Sequence, residues 1–545
     1  MITLNEEQQR AVDCDDKKIL CLACAGAGKT QVLISRLWRL VSKKALDPRS
    51  ILCLTFTRAA AFEMRARYEK LQKASTETMT SYMQIKPEIS TFHAFCYSLV
   101  LHDSTVRNKI GYKRPPIILD PAFVKKFQKE AILQTNVRLS MKKLGRNAVR
   151  TKSEEHEFKL YDKAFRRLLK QKNLITFDIL CEDVCKLFHK ADDCILKYLQ
   201  KYKYIMIDEF QDTDATQVKF MEAFKDSNWF CVGDALQNLY SFRGTSNRFI
   251  KDYSQDESWT KIRMSRNYRS TKQICAYANN ESTYASPQYR IELVSDKDGD
   301  EVVEQYVTEA DYSSEPVNQA ELYYLLSHIK PEQQTAILCR TNSEVEYICN
   351  FLETHDVDYT TSKRDSTLEN VLQSSIDDQY LMDWLSTYLS SDKYANYIRL
   401  KTLEPDPNIK WFVENFGKVY WIRNYLQYIA AVRRRTLAAV SGQMSVKDMI
   451  SEIADLFKIE LSEETDYSDM SVQEAIHALI DQINETKLSE VYCGTVHSVK
   501  GLEFDNVIIS GVKGKHFKLN SEDNLNVYYV AITRAKEHLV VMLNS

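Results

Sequence analysis

A short apolar run, Ile19-Leu20-Cys21-Leu22, leads into Ala23-Cys24-Ala25-Gly26-Ala27-Gly28-Lys29-Thr30, and a helical apolar pattern follows at Val32, Leu33, Leu37 and Leu40. Strand, glycine-rich turn and helix, in that order, form the context in which backbone N–H groups converge on a phosphate. Gly26 and Gly28 allow the turn, Lys29 reaches the β- and γ-phosphates, and the Thr30 hydroxyl is placed for Mg²⁺. The full spelling of such a loop asks for glycine where this chain has Ala23. The remaining Gly-x-Gly-Lys-Thr still demands a strand on one side and a helix on the other, so the fold expected here is α/β.

The rest of the chain fits that expectation. Its 545 residues suggest roughly three or four domains of ~150 residues. The net charge of -2 is unevenly spread. Thr105 to Lys172 holds nineteen Lys/Arg against six Asp/Glu, whereas Glu460 to Glu490 holds nine carboxylates and one lysine. The thirteen cysteines are scattered, many in apolar runs (Cys53, Cys231, Cys339), as in a reduced intracellular core. Cys21-x-x-Cys24 has the spacing of a metal knuckle or redox pair, but no second pair follows and it sits in the phosphate loop. With no membrane-length apolar run and no signal peptide, a soluble cytoplasmic (or nuclear) protein is expected.

Three further strands end in polar residues that open helices. The strand Ile51–Thr57, with Thr55, Phe56 and Thr57 at its end, runs into a helix from Arg58, and Ile89-Ser90-Thr91 runs into Phe92 and His93. Tyr204–Ile207 ends in Asp208-Glu209-Phe210-Gln211-Asp212. Strands alternating with helices imply a parallel sheet, with ligands beyond the strands' carboxyl ends. Paired with a phosphate loop, Asp208 is suited to hold Mg²⁺ and Glu209 to orient and deprotonate water. Phe56 and Phe92 fit either a base-stacking rim with Thr91 and His93 or the core. Gln8, in a capped helical turn before the first strand, can pair with adenine or simply lie on a surface helix. After Trp229–Asp234, Gln237 is placed to sense a γ-phosphate, and Tyr240, Phe242 and Arg243 to grip a single strand. Ser265–Ser270 opens a second α/β half, where Tyr268 offers a ring and Arg269 a charge. Ser362 to Leu488 loses the strand pattern and reads as a helical insertion, with helices at Asn370–Ser390, Trp411–Ser441, Val446–Phe457 and Val472–Asn484. The stretch Tyr492–Asp505 returns to the sheet, Val507–Ser510 is the next strand, and His538–Leu543 is the last.

Taken as an ordered series, these blocks resemble the UvrD/Rep-type helicases of superfamily 1A. The resemblance runs from Gln8 through the loop to Arg340-Thr341-Asn342, His497–Phe504 and Tyr529–Arg534. It implies two RecA-like P-loop domains with parallel sheets, each with a mainly helical insertion. The implied domains are 1–100 with 176–260, a basic insertion at 101–175, 261–361 with 489–545, and an insertion at 362–488. It implies an ATP-driven 3′→5′ motor on single-stranded DNA and single/double-strand junctions, using Mg²⁺. Lys29, Thr30 and Asp208 would bind the Mg-nucleotide, with Ala25, Gly26, Ala27, Gly28 and Gln31 around it and Glu209 as general base. Gln237, Arg269 and Arg534 would contact the γ-phosphate, Gln8 and Tyr268 the adenine, and Glu503 the ribose. Phe56, Thr91, His93, Tyr240, Phe242, Arg243, Arg340 and His497 would line the DNA path.

The chain departs from the family pattern at several points. Ala27 stands where Ser or Thr is usual, Gln31 where many members have Arg, Asp234-Ala235-Leu236-Gln237 in place of Asp-Asp-Asp-Gln, and Phe242 in place of Trp. The second insertion is short for the family, and the chain stops soon after Arg534. These features leave two expectations: a helicase of repair, recombination or replication, or an ATPase/translocase subunit with little unwinding alone in a nuclease–helicase complex, for example of antiphage defence, with a nuclease or repair protein as partner.

Overall fold

Runs of Ile, Leu, Val and Cys in the first half cannot be solvated on either face, and they pair into one sheet. In chain order the strands are β1 (Lys18–Ala23), β2 (Ile51–Thr55), β3 (Glu88–Thr91), β4 (Ile117–Ile118), β5 (Leu174–Ile175), β6 (Tyr204–Ile207), β7 (Asn228–Gly233), β8 (Thr260–Met264), β9 (Val303–Val307), β10 (Thr335–Cys339), β11 (Tyr359–Thr360), β12 (Val491–Thr495), β13 (Phe504–Val512) and β14 (Ala535–Asn544). This computed structural model describes residues 4–74, 85–119, 121–145, 148, 150–239, 247–307, 317, 319–330, 333–361, parts of 435–479, and 491–544. It divides into two units: Met1–Glu321 with Leu338–Thr341 and Thr495–Ser545, and Leu322–Ile337 with Asn342–Gly494.

In the first unit a six-stranded sheet runs β3-β2-β6-β7-β1-β8. Every neighbouring pair is parallel, with Leu22 opposite Gly233 and Leu54 opposite Ile207. Parallel strands point their carboxyl ends one way, so Ala23, Thr55, Thr91, Ile207 and Gly233 all finish on one rim. Their interiors are buried, as two helical layers require.

The first helix, α1 (Glu6–Asp13), begins with a capping box in which the Asn5 side chain and the Gln8 side chain each satisfy the other's backbone. The second, α2 (Lys29–Ser42), starts at the loop. Arg36 on α2 is buried and donates through Nη1 to the carbonyls of Ala11, Val12 and Cys14. Those carbonyls end α1, so Arg36 caps it and holds it on α2. Its guanidinium also lies 4.7 Å from the Phe230 ring centroid.

The basic segment is mainly helical, as its pattern predicts. Ser104–Lys109, Pro121–Thr135 and Lys152–Gln171 are helices, and β4 pairs in parallel with β5. Arg166 bridges Asp162, Glu182 and Asp183 at 2.6, 2.6 and 2.7 Å, tying this segment to helix Phe177–His189. Later in the first unit, β14 pairs in parallel with β13 and β9, and helix Glu522–Ile532 precedes it. The last strand is longer than His538–Leu543, because its register with β13 continues through Ala535 and Leu543.

In the second unit, β11 pairs in parallel with Val491 and Tyr492 of β12, and Asn342–Thr354 and Val446–Phe457 are helices. The helices expected at Asn370–Ser390 and over most of Trp411–Ser441 lie outside the described residues, and Val472–Asn484 is described only in part. No helix among the described residues is long and apolar enough to cross a membrane.

Candidate active site

The loop after β1 owes its shape to two glycines. Gly26 (φ 70°) and Gly28 (φ 76°) occupy the left-handed region, where a Cβ is strained. A Cβ would also meet Arg269 Cβ at 2.9 Å from Gly26 and Gln8 Nε2 at 2.9 Å from Gly28. The loop carbonyls are held from outside. Asn267 Nδ2 donates to Ala25 O at 2.8 Å, Tyr268 N to Gly26 O at 3.0 Å, and Gln8 Nε2 to Ala27 O at 3.0 Å. Carbonyls turned outward leave the N–H side of the loop and the α2 amino end facing the site, which suits an anion.

Three carboxylates and two cations converge here. Lys29 Nζ lies 3.4 Å from Gln237 Oε1. Gln237 Nε2 donates to Asp234 at 3.0 Å, which turns Oε1 toward Lys29. Asp208 is buried at the end of β6, and burial with the neighbouring Glu209 pushes its carboxyl up to about 7. Burial also raises Glu209, but Lys29 and Lys500 outweigh it and hold it down at about 2. Glu209 itself sits at φ 51°, ψ 45°. A left-handed non-glycine residue stores strain that the surroundings must hold, a pattern common at functional sites. Gln211 holds it: Nε2 donates to Glu209 Oε2, Oε1 accepts from Asp234 N at 3.0 Å, and its carbonyl accepts from Asn238 Nδ2. A Cβ on Gly233 would meet Gln211 Oε1 at 2.5 Å, so glycine is needed there.

The two arginines from the second half reach the same place. Arg269 Nε donates to Glu503 at 2.6 Å and Nη1 to Thr533 O at 2.8 Å. Arg534 is 3% exposed and donates to Val530 O, Leu502 O and the Thr533 hydroxyl. Among the described residues no carboxylate forms an ion pair with it, and burial together with the nearby Arg269 lowers it to about 9. Lys500 pairs with Asp212 and donates to Gln237 O at 3.3 Å. A buried guanidinium that forms no ion pair, a lysine hydrogen-bonded to the Gln237 amide, and a carboxylate raised by burial and by Glu209 suit a Mg-nucleotide triphosphate. The residues present therefore fit ATP with Mg²⁺.

Other expected residues fall less neatly. Tyr268 is 47% exposed, with its hydroxyl accepting from Asn5 Nδ2 at 2.7 Å, so its ring is open for stacking. Thr30 and Gln31 are half-buried, and Gln31 Nε2 donates to Ser35. Phe56 and His93 line a pocket with Thr55, Asp212 and Gln217. Phe92 also borders it but is 6% exposed and packs edge-on against Phe220 at 5.1 Å, so it belongs to the core. Thr91 is buried and its hydroxyl caps helix Phe92–His102 by accepting from Ala94 N. His497 is half-buried in a short turn, and Arg340 Nη2 donates to Asn524 at 3.4 Å. Tyr240, Phe242 and Arg243 lie outside the described residues.

Sequence reasoning assigned no role to Gln211, Asp212, Asp234, Asn267 or Lys500. Asn267 and Lys500 stand two residues from Arg269 and three from Glu503, which is the only local signal they carry.

The parallel α/β unit and this loop define a P-loop protein. The chain belongs to the UvrD/Rep helicase family: residues 4–121 and 108–258 match the UvrD/REP helicase N-terminal domain, and 373–545 the UvrD-like helicase C-terminal domain. It is 26% identical to the ATP-dependent DNA helicase PcrA of Staphylococcus epidermidis, over 99% of this chain and 83% of that protein. It is 26% identical to a probable DNA helicase II homolog of Mycoplasma genitalium (99% and 84%) and 24% identical to the putative ATP-dependent DNA helicase YjcD of Bacillus subtilis (99% and 78%).

Proposed function

We propose that this chain is an ATP-dependent 3′→5′ DNA helicase that couples nucleotide hydrolysis to movement along single-stranded DNA. The observation that carries the hydrolytic part is Arg534, a buried guanidinium that forms no ion pair among the described residues, with Arg269, Glu209 and Glu503 nearby. A charge left in that state is stabilised when a triphosphate arrives and its transferring oxygens become more negative.

In this reading the loop N–H groups and Lys29 cradle the β- and γ-phosphates, and Thr30 and Asp208 hold Mg²⁺. When bound there, Mg²⁺ would supply charge neutralisation at the phosphates. Glu209 accepts the proton of the attacking water, Gln237 orients it, and Arg269 and Arg534 act as in-chain arginine fingers. Tyr268 stacks on adenine with Gln8 behind it, and Glu503 faces the ribose when Arg269 turns to phosphate. Phe56, His93, Arg340 and His497 line the strand's path, with Tyr240, Phe242 and Arg243 continuing it. The motor domains are 1–100 with 176–260 and 261–361 with 489–545, carrying insertions at 101–175 and 362–488. The DNA substrate rests on the family and on the relatives' names, and the direction on the family resemblance.

Strand displacement with 3′- and 5′-tailed duplexes tests this on the purified chain. The expected result is ATP-dependent unwinding of the 3′-tailed substrate, absent in Lys29→Ala and Glu209→Gln. Unwinding from the 5′ tail alone would overturn the polarity. Wild-type-like hydrolysis in either variant would overturn the assigned chemistry.

A further inference from the structure

The start of α1 reaches three parts of the nucleotide site at once. Gln8 Nε2 holds the phosphate loop through Ala27 O at 3.0 Å, while its Oε1 accepts from Asn5 N at 3.1 Å. Glu7 holds a different segment. Its Oε1 accepts from the Ser265 hydroxyl at 2.7 Å, and its Oε2 from Ser265 N at 2.8 Å and Arg266 N at 3.3 Å. Asn5 Nδ2 donates to the Tyr268 hydroxyl at 2.7 Å. Ser265 follows β8 directly and Tyr268 stands three residues further on. One carboxylate and one amide therefore fix both ends of the turn that carries the ring. The turn is also closed onto the loop, by Asn267 Nδ2 on Ala25 O at 2.8 Å and Tyr268 N on Gly26 O at 3.0 Å. The helix α1 is itself anchored, because Arg36 of α2 binds the carbonyls of Ala11, Val12 and Cys14. Since α2 begins with Lys29 and Thr30, the Tyr268 ring is referenced through α1 to the helix that opens at the phosphate loop.

We propose that Glu7, assisted by Asn5, is a positioning residue that sets the span between the Tyr268 ring and the phosphate loop, so that the site prefers an adenine nucleotide to a bare polyphosphate. The inference rests on the reading of Tyr268 as the adenine platform. A phenol ring on an exposed turn loses orientational freedom when a base stacks on it, and a ring already held loses less. The bonds that hold it are of the strong kind, since two backbone N–H groups and a hydroxyl donate to one carboxylate. The work of recognition is then divided. The loop N–H groups and Lys29 supply affinity for the phosphates, and the first turn of α1 supplies preference for a base at the right distance from them. Glu7 is engaged by Ser265 and Arg266 and acts through them. Loss of its carboxylate therefore weakens recognition of the base and leaves recognition of the phosphates.

The full-length chain is titrated calorimetrically, in the presence of Mg²⁺, with the non-hydrolysable imido analogue of ATP and separately with inorganic tripolyphosphate. Wild type is expected to bind the ATP analogue about tenfold or more tightly than tripolyphosphate. In Glu7→Ala that preference should fall about fivefold or more, with tripolyphosphate affinity within about twofold of wild type. Glu7→Gln, which keeps one accepting oxygen for the turn, should recover part of the preference. Tyr268→Phe removes only the hydroxyl that Asn5 holds, on an exposed ring where the change does not threaten folding, and should lose part of the preference. An equal loss of both ligands in Glu7→Ala, with a lowered thermal midpoint, would make Glu7 a support of the fold alone and overturn the proposal. A preference for the ATP analogue that survives Glu7→Ala intact would overturn it too, and would leave the reading of Tyr268 standing. That reading falls on a different result, a wild-type chain that binds the ATP analogue no more tightly than tripolyphosphate, and the role of Glu7 falls with it.

Discussion

Gln237 Nε2 donates to Asp234 Oδ2 at 3.0 Å, and this one bond decides which end of the Gln237 amide faces Lys29. Asp234 is buried, also accepts from Leu236 N at 3.0 Å, and has no freedom to turn away. The polarity of the Gln237 side chain is therefore set three residues upstream of the side chain that would sense phosphate.

Asp234→Ala should release the Gln237 amide. A hydrogen bond to a charged group is worth ~1.5–3 kcal/mol, so kcat should fall about tenfold or more while KM for nucleotide changes less. Steady-state hydrolysis with saturating single-stranded DNA measures both. An unchanged kcat would mean that Gln237 is oriented by something else.

Arg534→Ala should separate catalysis from stability. Loss of an arginine finger costs ~10³–10⁵ in rate. The same change removes a buried cation that forms no ion pair among the described residues, so the thermal midpoint of the nucleotide-free protein should hold or rise. Nucleotide affinity should be nearly retained. A fall in midpoint of several degrees with normal hydrolysis would reverse both assignments.

Gly28→Ala should disable the loop before it disturbs the sheet. At φ 76° an alanine carries ~1–2 kcal/mol of strain, and its Cβ would meet Gln8 Nε2 at 2.9 Å. Nucleotide affinity should drop at least about tenfold, by fluorescent-analogue titration, with the circular dichroism spectrum preserved. Normal affinity would show that the loop tolerates a side chain there.

Arg166→Ala should strike the basic segment rather than the motor site. It leaves Asp162, Glu182 and Asp183 around a vacated cation, and losing the charge-assisted hydrogen bonds of this half-buried network costs ~1.5–3 kcal/mol. Urea unfolding should show an early transition, and proteolysis near Lys152–Gln171 should accelerate. A superimposable unfolding curve would mean that the four charges are independently solvated.

Asp103 makes a pH prediction of definite sign. Burial raises its carboxyl, but Lys197, Tyr198 and the N–H groups of Val106 and Thr105 win and hold it at about 2. Its folded value lies below the unfolded value of ~3.9. The stability it contributes is therefore complete above about pH 4 and lost as pH falls toward 2. The urea midpoint of Asp103→Asn should be lower than wild type at pH 5 and converge with it toward pH 2. A constant difference across that range would remove Asp103 from the acid response.

Much of the site was legible because its signals are local. The loop glycines, Lys29, Thr30 and the Asp208-Glu209 pair announce themselves within ten residues of the strands that carry them. The fate of Phe92 was not legible, since a phenylalanine at a strand exit suits rim and core equally. Only Phe220, more than a hundred residues away, decides for the core. Asn267 carries no signal of its own, because its partner is the carbonyl of Ala25 on the other side of the sequence.

The sequence by itself determined the alternation of strand and helix, the polar exits of the strands and the identity of the phosphate loop. These depend on periodicity and on residues within one turn of each other. Tertiary structure decided the strand order β3-β2-β6-β7-β1-β8, because pairing between parallel strands leaves no mark in either strand alone. It also decided that Arg534 would be buried without an ion pair among the described residues and that Gln211 would brace the strained Glu209. Burial and long-range pairing set the energy of a charge, and neither is a property of the residue that carries it.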